Sequence, residues 1–221
     1  PSEYSKQLIQ SYGVKTPIVA VSNGIDLSKY KKDPKKEEVF RKHFNIQEGE
    51  KVVLCAGLYF RRKGIEDFVE VARRMPDVRF IWLGSINKWL IPRAIRRLVE
   101  KDHPSNVEFP GYFKGAVFQG AMTGADAFFF PSYEETEGIV VLEALAGHQH
   151  VVLRDIPVYH GWVDQESAEL CHSVDEFVDS LEKVLSGQVD KRDAGDRVAQ
   201  SRSIDLVADQ LVKAYQQVLE M

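Results

Sequence analysis

Short apolar runs alternate along this chain with segments whose apolar residues recur at three- and four-residue steps, and no other feature limits its fold so tightly. The runs lie at residues 18–20, 52–56, 79–83, 107–109, 127–130 and 151–153, each bounded by turn residues and each the length of a strand. Periodic segments follow at about 36–44, 65–74, 90–101, 115–123 and 138–147. A further helix is expected over about 3–12, with Ser2 and Glu3 at its start and Gly13 at its end. Strand then helix, repeated, gives a parallel sheet with helices on both faces, an α/β architecture. In open sheets of that kind ligands bind beyond the carboxyl ends of the strands. Gly57, Gly84, Gly111 and Gly138 each follow a predicted strand, so their loops are expected to line one cleft. Beyond Val174 the pattern turns wholly helical, with Phe177, Leu181 and Val184 on one face, then Leu206, Val207, Leu211, Ala214 and Val218 over about 203–220.

At 221 residues, 44% hydrophobic and 28% charged, the chain reads as one domain with a well-buried core. No segment approaches the roughly 20 apolar residues that span a bilayer. A net charge of −4 argues against nucleic acid as a partner, which calls for a basic domain. Cys55 and Cys171 have neither metal-ligand spacing nor the density of a disulfide scaffold, and no signal-peptide pattern opens the chain, so a reducing cytoplasm is the simplest setting. The six histidines are scattered. No metal and no other cofactor is expected, and His148 and His150 are expected as exposed loop residues.

The stretch from Ser132 to Ala146 carries the chemistry. An apolar run ending at Pro131 gives way to the acidic loop Tyr133-Glu134-Glu135-Thr136-Glu137, then to Gly138 and a helix with Val141, Leu142, Leu145 and Ala146 inward. The free N–H groups of that helix start, at Ile139 and Val140, suit an anion such as a diphosphate. Glu135 precedes the turn and Glu143 follows it, so one carboxylate can address a sugar while the other accepts bonds from a ribose.

This spacing resembles the signature of retaining glycosyltransferase family 4. Val21-Ser22-Asn23-Gly24-Ile25-Asp26 is similar to that family's Asn-Gly-Ile-Asp turn, the segment from Gly57 to Lys63-Gly64 to its glycine and Lys-Gly loop, and Asn106-Val107-Glu108-Phe109-Pro110-Gly111-Tyr112 to its later strand and glycine turn. The resemblance implies a Rossmann-like α/β fold, the C-terminal, donor-binding lobe of a two-lobed enzyme. On this reading residues 1–221 form the nucleotide-sugar domain, 175–221 its helical C-terminal part, and the N-terminal acceptor domain lies outside the chain. Glu135-Thr136-Glu137-Gly138-Ile139-Val140-Val141-Leu142-Glu143 is most similar to the bacterial glycosyl-diacylglycerol synthases. A UDP-linked hexose is the donor so implied, and a diacylglycerol or membrane glycolipid the acceptor.

The same resemblance assigns roles. Glu143 would bind the ribose, and Glu135 would contact the donor sugar, either as nucleophile or steadying the sugar while the acceptor attacks from the same face. Lys63 sits where the family keeps its phosphate lysine, and a cation there stabilises the departing diphosphate. Many relatives have arginine directly after the first glycine; Leu58 stands there, and Arg62 is the expected substitute. Gly57 lines the phosphate loop, and Gly138, Ile139 and Val140 the helix start. Tyr112 and Phe113 follow the base-binding turn, with core packing as the alternative. Glu134 and Glu137 are expected to be solvated or acceptor-side, Glu137 replacing an aromatic residue.

Residues 88–101 put Leu90, Ile91, Ala94, Ile95 and Leu98 on one helical face and Arg93, Arg96, Arg97 and Lys101 away from it. Such a helix either covers the sheet with a basic side in solvent or, with Trp89, attaches peripherally to anionic lipid. Two rivals to transfer stay open: a nucleotide-binding module without transfer activity, and a two-lobed sugar-nucleotide epimerase.

Overall fold

The computed structural model describes residues 1–219, the side chains of Lys88 and Val218 excepted. Among them six parallel strands form one sheet: β1 (Val52–Ala56), β2 (Arg79–Leu83), β3 (Val107–Gly111), β4 (Ala127–Phe130), β5 (Val151–Arg154) and β6 (Glu169–Cys171), in the order β3-β2-β1-β4-β5-β6. The chain steps outward from β1 to β3 and then returns to the far side of β1 with β4. That reversal opens a crevice above the carboxyl ends of β1 and β4, where such sheets bind ligands.

Around the sheet lie α1 (Glu3–Ser11), α2 (Pro34–His43), α3 (Ile65–Arg74), α4 (Arg93–Glu100), α5 (Ala116–Gly124), α6 (Ile139–Ala146), α7 (Val174–Leu185), α8 (Arg192–Gln200) and α9 (Ile204–Leu219). Central strands β1 and β4 are buried at every position, which is why they read as unbroken apolar runs rather than alternating ones. Helix α3 buries Ile65, Phe68, Val69, Val71 and Ala72, the stripe its three- and four-residue spacing demands. Phe68 stacks on Phe129 with ring centroids 5.9 Å apart and meets Phe80 and Trp82 edge-on; Phe177 of α7 meets Phe129 at 4.8 Å. Fully burying one such aromatic stabilises the fold by about 1.5–3 kcal/mol, so this cluster anchors β2 and β4 to α3 and α7. Helix α7 begins with a reciprocal cap: Glu176 N–H donates to Ser173 Oγ, and the Glu176 carboxylate accepts from His172 N–H at 2.8 Å.

Three expectations are corrected. Residues 18–20 are not a strand: Val19 is 57% exposed, with no sheet edge to cover it. The sixth strand is β6, whose Glu169-Leu170-Cys171 is too short and too polar to announce itself; it pairs with β5 at Val152, Leu153 and Arg154. The helix expected over 90–101 starts only at Arg93, because proline holds the preceding residue extended; Ile91 has φ −113° and ψ 148°. Leu90, expected on the apolar face, therefore sits with Trp89 on a short turn, the two 69% and 84% exposed. The C-terminal helices occur at α7, α8 and α9. Val207 of α9 is buried, while Leu206 and Leu211 are exposed; the Val218 side chain and the expected helix end near 220 lie outside the described residues.

Candidate functional site

Two loops at the carboxyl end of the sheet build the site. The first leaves β1 at Gly57, whose carbonyl accepts from the Trp82 indole at 2.9 Å, and passes through the tight turn Arg61–Lys63 to Gly64. Gly64 has φ +77°, and a Cβ there would lie 2.3 Å from the Pro131 carbonyl oxygen. The second loop leaves β4 through Pro131 and Ser132. Tyr133 N–H donates to the Arg62 carbonyl at 2.7 Å, and the Arg62 guanidinium returns a bond to the Glu134 carbonyl at 2.8 Å. Basic turn and acidic loop are thus one laced unit, with the positive φ of Gly64 as its hinge point.

Within that unit Lys63 Nζ lies 2.5 Å from Glu135 Oε1, and Ser132 Oγ donates to the same oxygen at 2.7 Å. Both charged side chains are nearly buried, at 12% and 9% exposure, and Lys63 also lies over the Phe130 ring at 5.1 Å. An ion pair this dry is fixed in place before any ligand arrives.

Gly138 opens α6 in the left-handed region at φ +87°, against the Tyr159 ring, and no side chain caps the helix. Its first N–H groups face the cleft uncapped, with the positive end of the helix dipole behind them. Glu143 accepts a 2.5 Å hydrogen bond from the Tyr30 hydroxyl. Burial holds the Glu143 carboxyl above its ordinary pKa, with the Tyr30 bond opposing. Burial and the neighbouring carboxylate push the Tyr30 phenol far up, so it remains a donor.

All ten residues singled out in the sequence, Gly57, Arg62, Lys63, Tyr112, Phe113, Glu135, Gly138, Ile139, Val140 and Glu143, line a single cleft of about 400 Å³. Tyr112 is 71% exposed at its rim, whereas Phe113 also packs edge-on against His43 and Phe44, so the core-packing alternative holds in part. Sequence reasoning did not point to Tyr30, Leu27–Tyr30 being a short turn whose tyrosine carries no motif. Nor did it place Thr136 and Phe118 on the wall. A larger opening of about 1020 Å³ lies at the other end of the strands, beside Lys51, Asp126 and His150, and contains none of the ten. Among the described residues no group of three or more His, Cys, Asp or Glu converges as a metal site.

Glu137 is a correction. It is 1% exposed, accepts from Ser22 Oγ, from Asn23 N–H at 3.0 Å and from Asn23 Nδ2 at 2.5 Å, and pairs with Arg202 at 3.3 Å. The carboxylate turns away from solvent because two distant segments, Ser22-Asn23 and Arg202, converge on it with donors. His150 is likewise half-buried rather than exposed, and its Nδ1 has no partner; burial lowers its pKa, while His148 is exposed as expected and pairs with Asp193.

Residues 36–201, which include all ten cleft positions, match the family model described as glycosyl transferases group 1. The chain belongs to that glycosyltransferase family. This glycosyltransferase domain is 49% identical over 224 residues to the processive diacylglycerol α-glucosyltransferase of Acholeplasma laidlawii, a match covering the whole chain and 67% of that protein. It is 28% identical over 145 residues to the α-galactosylglucosyldiacylglycerol synthase of Streptococcus pneumoniae, covering 64% of the chain and 39% of the relative. Among solved structures, sucrose-phosphate synthase from Thermosynechococcus elongatus superposes with a TM-score of 0.85 at 20% identity, over 99% of this chain and 57% of the other. Anabaena Alr3699/HepE in complex with UDP-glucose gives 0.85 at 17% identity, over 98% and 62%. At those identities the structures speak for the fold, and the chain spans about three fifths of each.

Proposed function

We propose that residues 1–221 form a donor-binding domain that holds a UDP-linked hexose in the 400 Å³ cleft, and that the protein transfers the hexosyl group, with retention, to diacylglycerol or a glycosyl-diacylglycerol. The observation that carries this is the buried Lys63–Glu135 pair facing the uncapped start of α6, with Glu143 farther along the same helix. In the reaction the bond between the anomeric carbon and the diphosphate oxygen breaks, an acceptor hydroxyl bonds to that carbon, its proton passes to the departing diphosphate, and UDP leaves. Lys63, Arg62 and the N–H groups of Ile139 and Val140 meet the charge that grows on the leaving oxygens. Glu135 accepts from the Lys63 ammonium and the Ser132 hydroxyl through Oε1, which orients the carboxylate and leaves Oε2 to meet the donor sugar. Glu143 takes the ribose diol. The names of the Acholeplasma and Streptococcus relatives support the lipid acceptor.

Calorimetry with UDP tests the ribose role. Glu143→Gln keeps an acceptor for Tyr30 but removes the charge, and should weaken UDP binding by about 1–3 kcal/mol. The raised pKa means that wild-type Glu143 takes up its proton at a higher pH than an ordinary carboxylate. Affinity should therefore fall faster toward acid for the wild type than for Glu143→Gln as pH falls through the raised pKa, a difference that cancels the titration of UDP itself. For stability the sign is opposite: the folded state favours the protonated form, so the ionised carboxyl is a cost that appears as pH rises through the raised pKa, and Glu143→Gln should be no less stable than the wild type at neutral pH. Equal UDP affinity in the two proteins would remove Glu143 from the ribose.

We infer peripheral attachment to an anionic membrane through the turn after β2. Among the described residues no helix is long and apolar enough to cross a membrane. The exposed Trp89 and Leu90 lie at the cleft end of the sheet, with the Arg96 guanidinium over the Trp89 ring at 5.4 Å and Arg93 and Arg97 exposed beside them. An exposed aromatic tip with a guanidinium over its ring, beside a basic helix whose Arg97 pairs with Asp102, suits the headgroup level of a negative bilayer, on the cytoplasmic side in this reading. The full-length protein should sediment with anionic vesicles more than with neutral ones, and Arg93, Arg96 and Arg97 changed together to Gln should lose about 1 kcal/mol per residue of salt-sensitive binding. Equal sedimentation of the triple variant would leave this segment a structural role only.

A further inference from the structure

One stretch of chain braces the start of α6 from behind. Residues 22–30 run from the Glu137 cluster, just before Gly138, to Glu143 in the second turn of the helix, and they are bonded at both ends. At the first end Ser22 and Asn23 donate to the Glu137 carboxylate; at the second the Tyr30 hydroxyl donates to Glu143 Oε1 at 2.5 Å. Resting on the ribose role proposed above for Glu143, we propose that Tyr30 is a positioning residue for nucleotide recognition: it fixes the Glu143 carboxylate by one oxygen, presents the other to the diol, and so sets the preference of the site for a ribonucleotide.

Tyr30 acts through Glu143 and not on the ligand. Glu143 lines the cleft of about 400 Å³, whereas Tyr30 lines the larger opening at the other end of the strands. The tyrosine is only 7% exposed, so its hydroxyl has little freedom to turn toward water. Its turn is fixed as well. Asp26 caps Leu27–Tyr30 by accepting from Ser28 N–H at 3.1 Å. Just before it, Ile25 N–H donates to the Arg202 carbonyl at 3.0 Å and the Ile25 carbonyl accepts from Ile204 N–H at 2.9 Å, which ties the turn to the start of α9.

The bond matters because nothing else holds the carboxylate. Among the described residues the Glu143 side chain accepts from no other group. Burial favours a proton on it; the Tyr30 bond opposes burial, and Lys29, itself paired with Asp26 at 3.3 Å, does so more weakly. Without the phenol the half-buried carboxyl would be free to rotate or to take up a proton, and either change removes the acceptor that two ribose hydroxyls need. Held through Oε1, it keeps Oε2 available to the cleft in the ionised state.

The test compares UDP with 2′,3′-dideoxy-UDP, which lacks both ribose hydroxyls, by calorimetry on the full-length protein. The wild type should prefer UDP by about tenfold or more, since charge-assisted bonds are at stake. Tyr30→Phe keeps the buried ring and removes only the hydroxyl; it should weaken UDP about fivefold and leave dideoxy-UDP unchanged, so that the preference falls by the same factor. A loss of general structure would weaken the two nucleotides alike, and a misfolded fraction lowers the stoichiometry without touching their ratio. A wild-type preference in Tyr30→Phe, together with a reduced one in Glu143→Gln, would overturn the role of Tyr30 and leave Glu143 on the ribose. A preference that survives Glu143→Gln, or that the wild type never shows, would sink the ribose reading of Glu143 and this proposal with it.

Discussion

Lys63→Met in the full-length protein is expected to lower kcat at saturating donor by about 10²- to 10³-fold, the usual effect of removing one preorganised group aimed at developing charge. Ground-state UDP affinity should change far less, because the cation is needed most when the glycosidic bond has broken and the diphosphate carries its full charge. The geometry makes the effect large. Lys63 is 12% exposed, held between Glu135 and the Phe130 ring, so neither water nor a swinging surface lysine can replace it. Arg62 adds to the Lys63 charge but does not move into its place, since the guanidinium is tethered to the Glu134 carbonyl. Steady-state kinetics beside UDP calorimetry would decide the matter; turnover within threefold of wild type would show that the leaving group is stabilised elsewhere.

Glu137→Leu should cost about 3 kcal/mol of folding stability, the lower end of the range for removing one partner of a buried ion pair, because Arg202 keeps 23% exposure. In a domain of this size that corresponds to a fall in Tm of roughly 6–12 °C. The loss comes from the groups left behind: the Ser22 hydroxyl, two Asn23 donors and a guanidinium that keeps the Trp162 ring at 4.7 Å. Glu137→Gln, which keeps acceptors for Asn23, should lose about half as much. Thermal unfolding of the two variants, with a Tm within 2 °C of the parent for both, would mean that the Glu137 cluster is not the clasp it resembles, the 2 °C being about the effect of 1 kcal/mol or less.

The cleft was legible because its parts are local in sequence. A strand end, a glycine and a helix start occupy about ten residues, and each imposes its own chemistry: Gly64 and Gly138 hold positive φ, and α6 begins uncapped. Ordering of strands is enough to bring such loops together at one end of a parallel sheet, so the ten residues meet. Reading failed where one residue's role depends on a distant partner. Glu137 looks like any charge in an acidic loop until Ser22 and Arg202, 115 and 65 positions away, close on it. Pro92 was visible, yet its effect, the release of Leu90 from the apolar face, was hidden by apolar spacing that continued across it.

By itself, then, the sequence determined the alternation of strand and helix, the family, and the chemical types gathered at the carboxyl ends of the strands, because burial patterns and loop glycines act within a few residues of themselves. Only the tertiary structure decided that the edge strand is Glu169–Cys171 and not residues 18–20, that Tyr30 donates to Glu143 across 113 positions, and that Lys63 is already paired with Glu135 across 72. Such pairings depend on which distant segments the packed core brings within hydrogen-bonding distance, and neither periodicity nor composition carries that information.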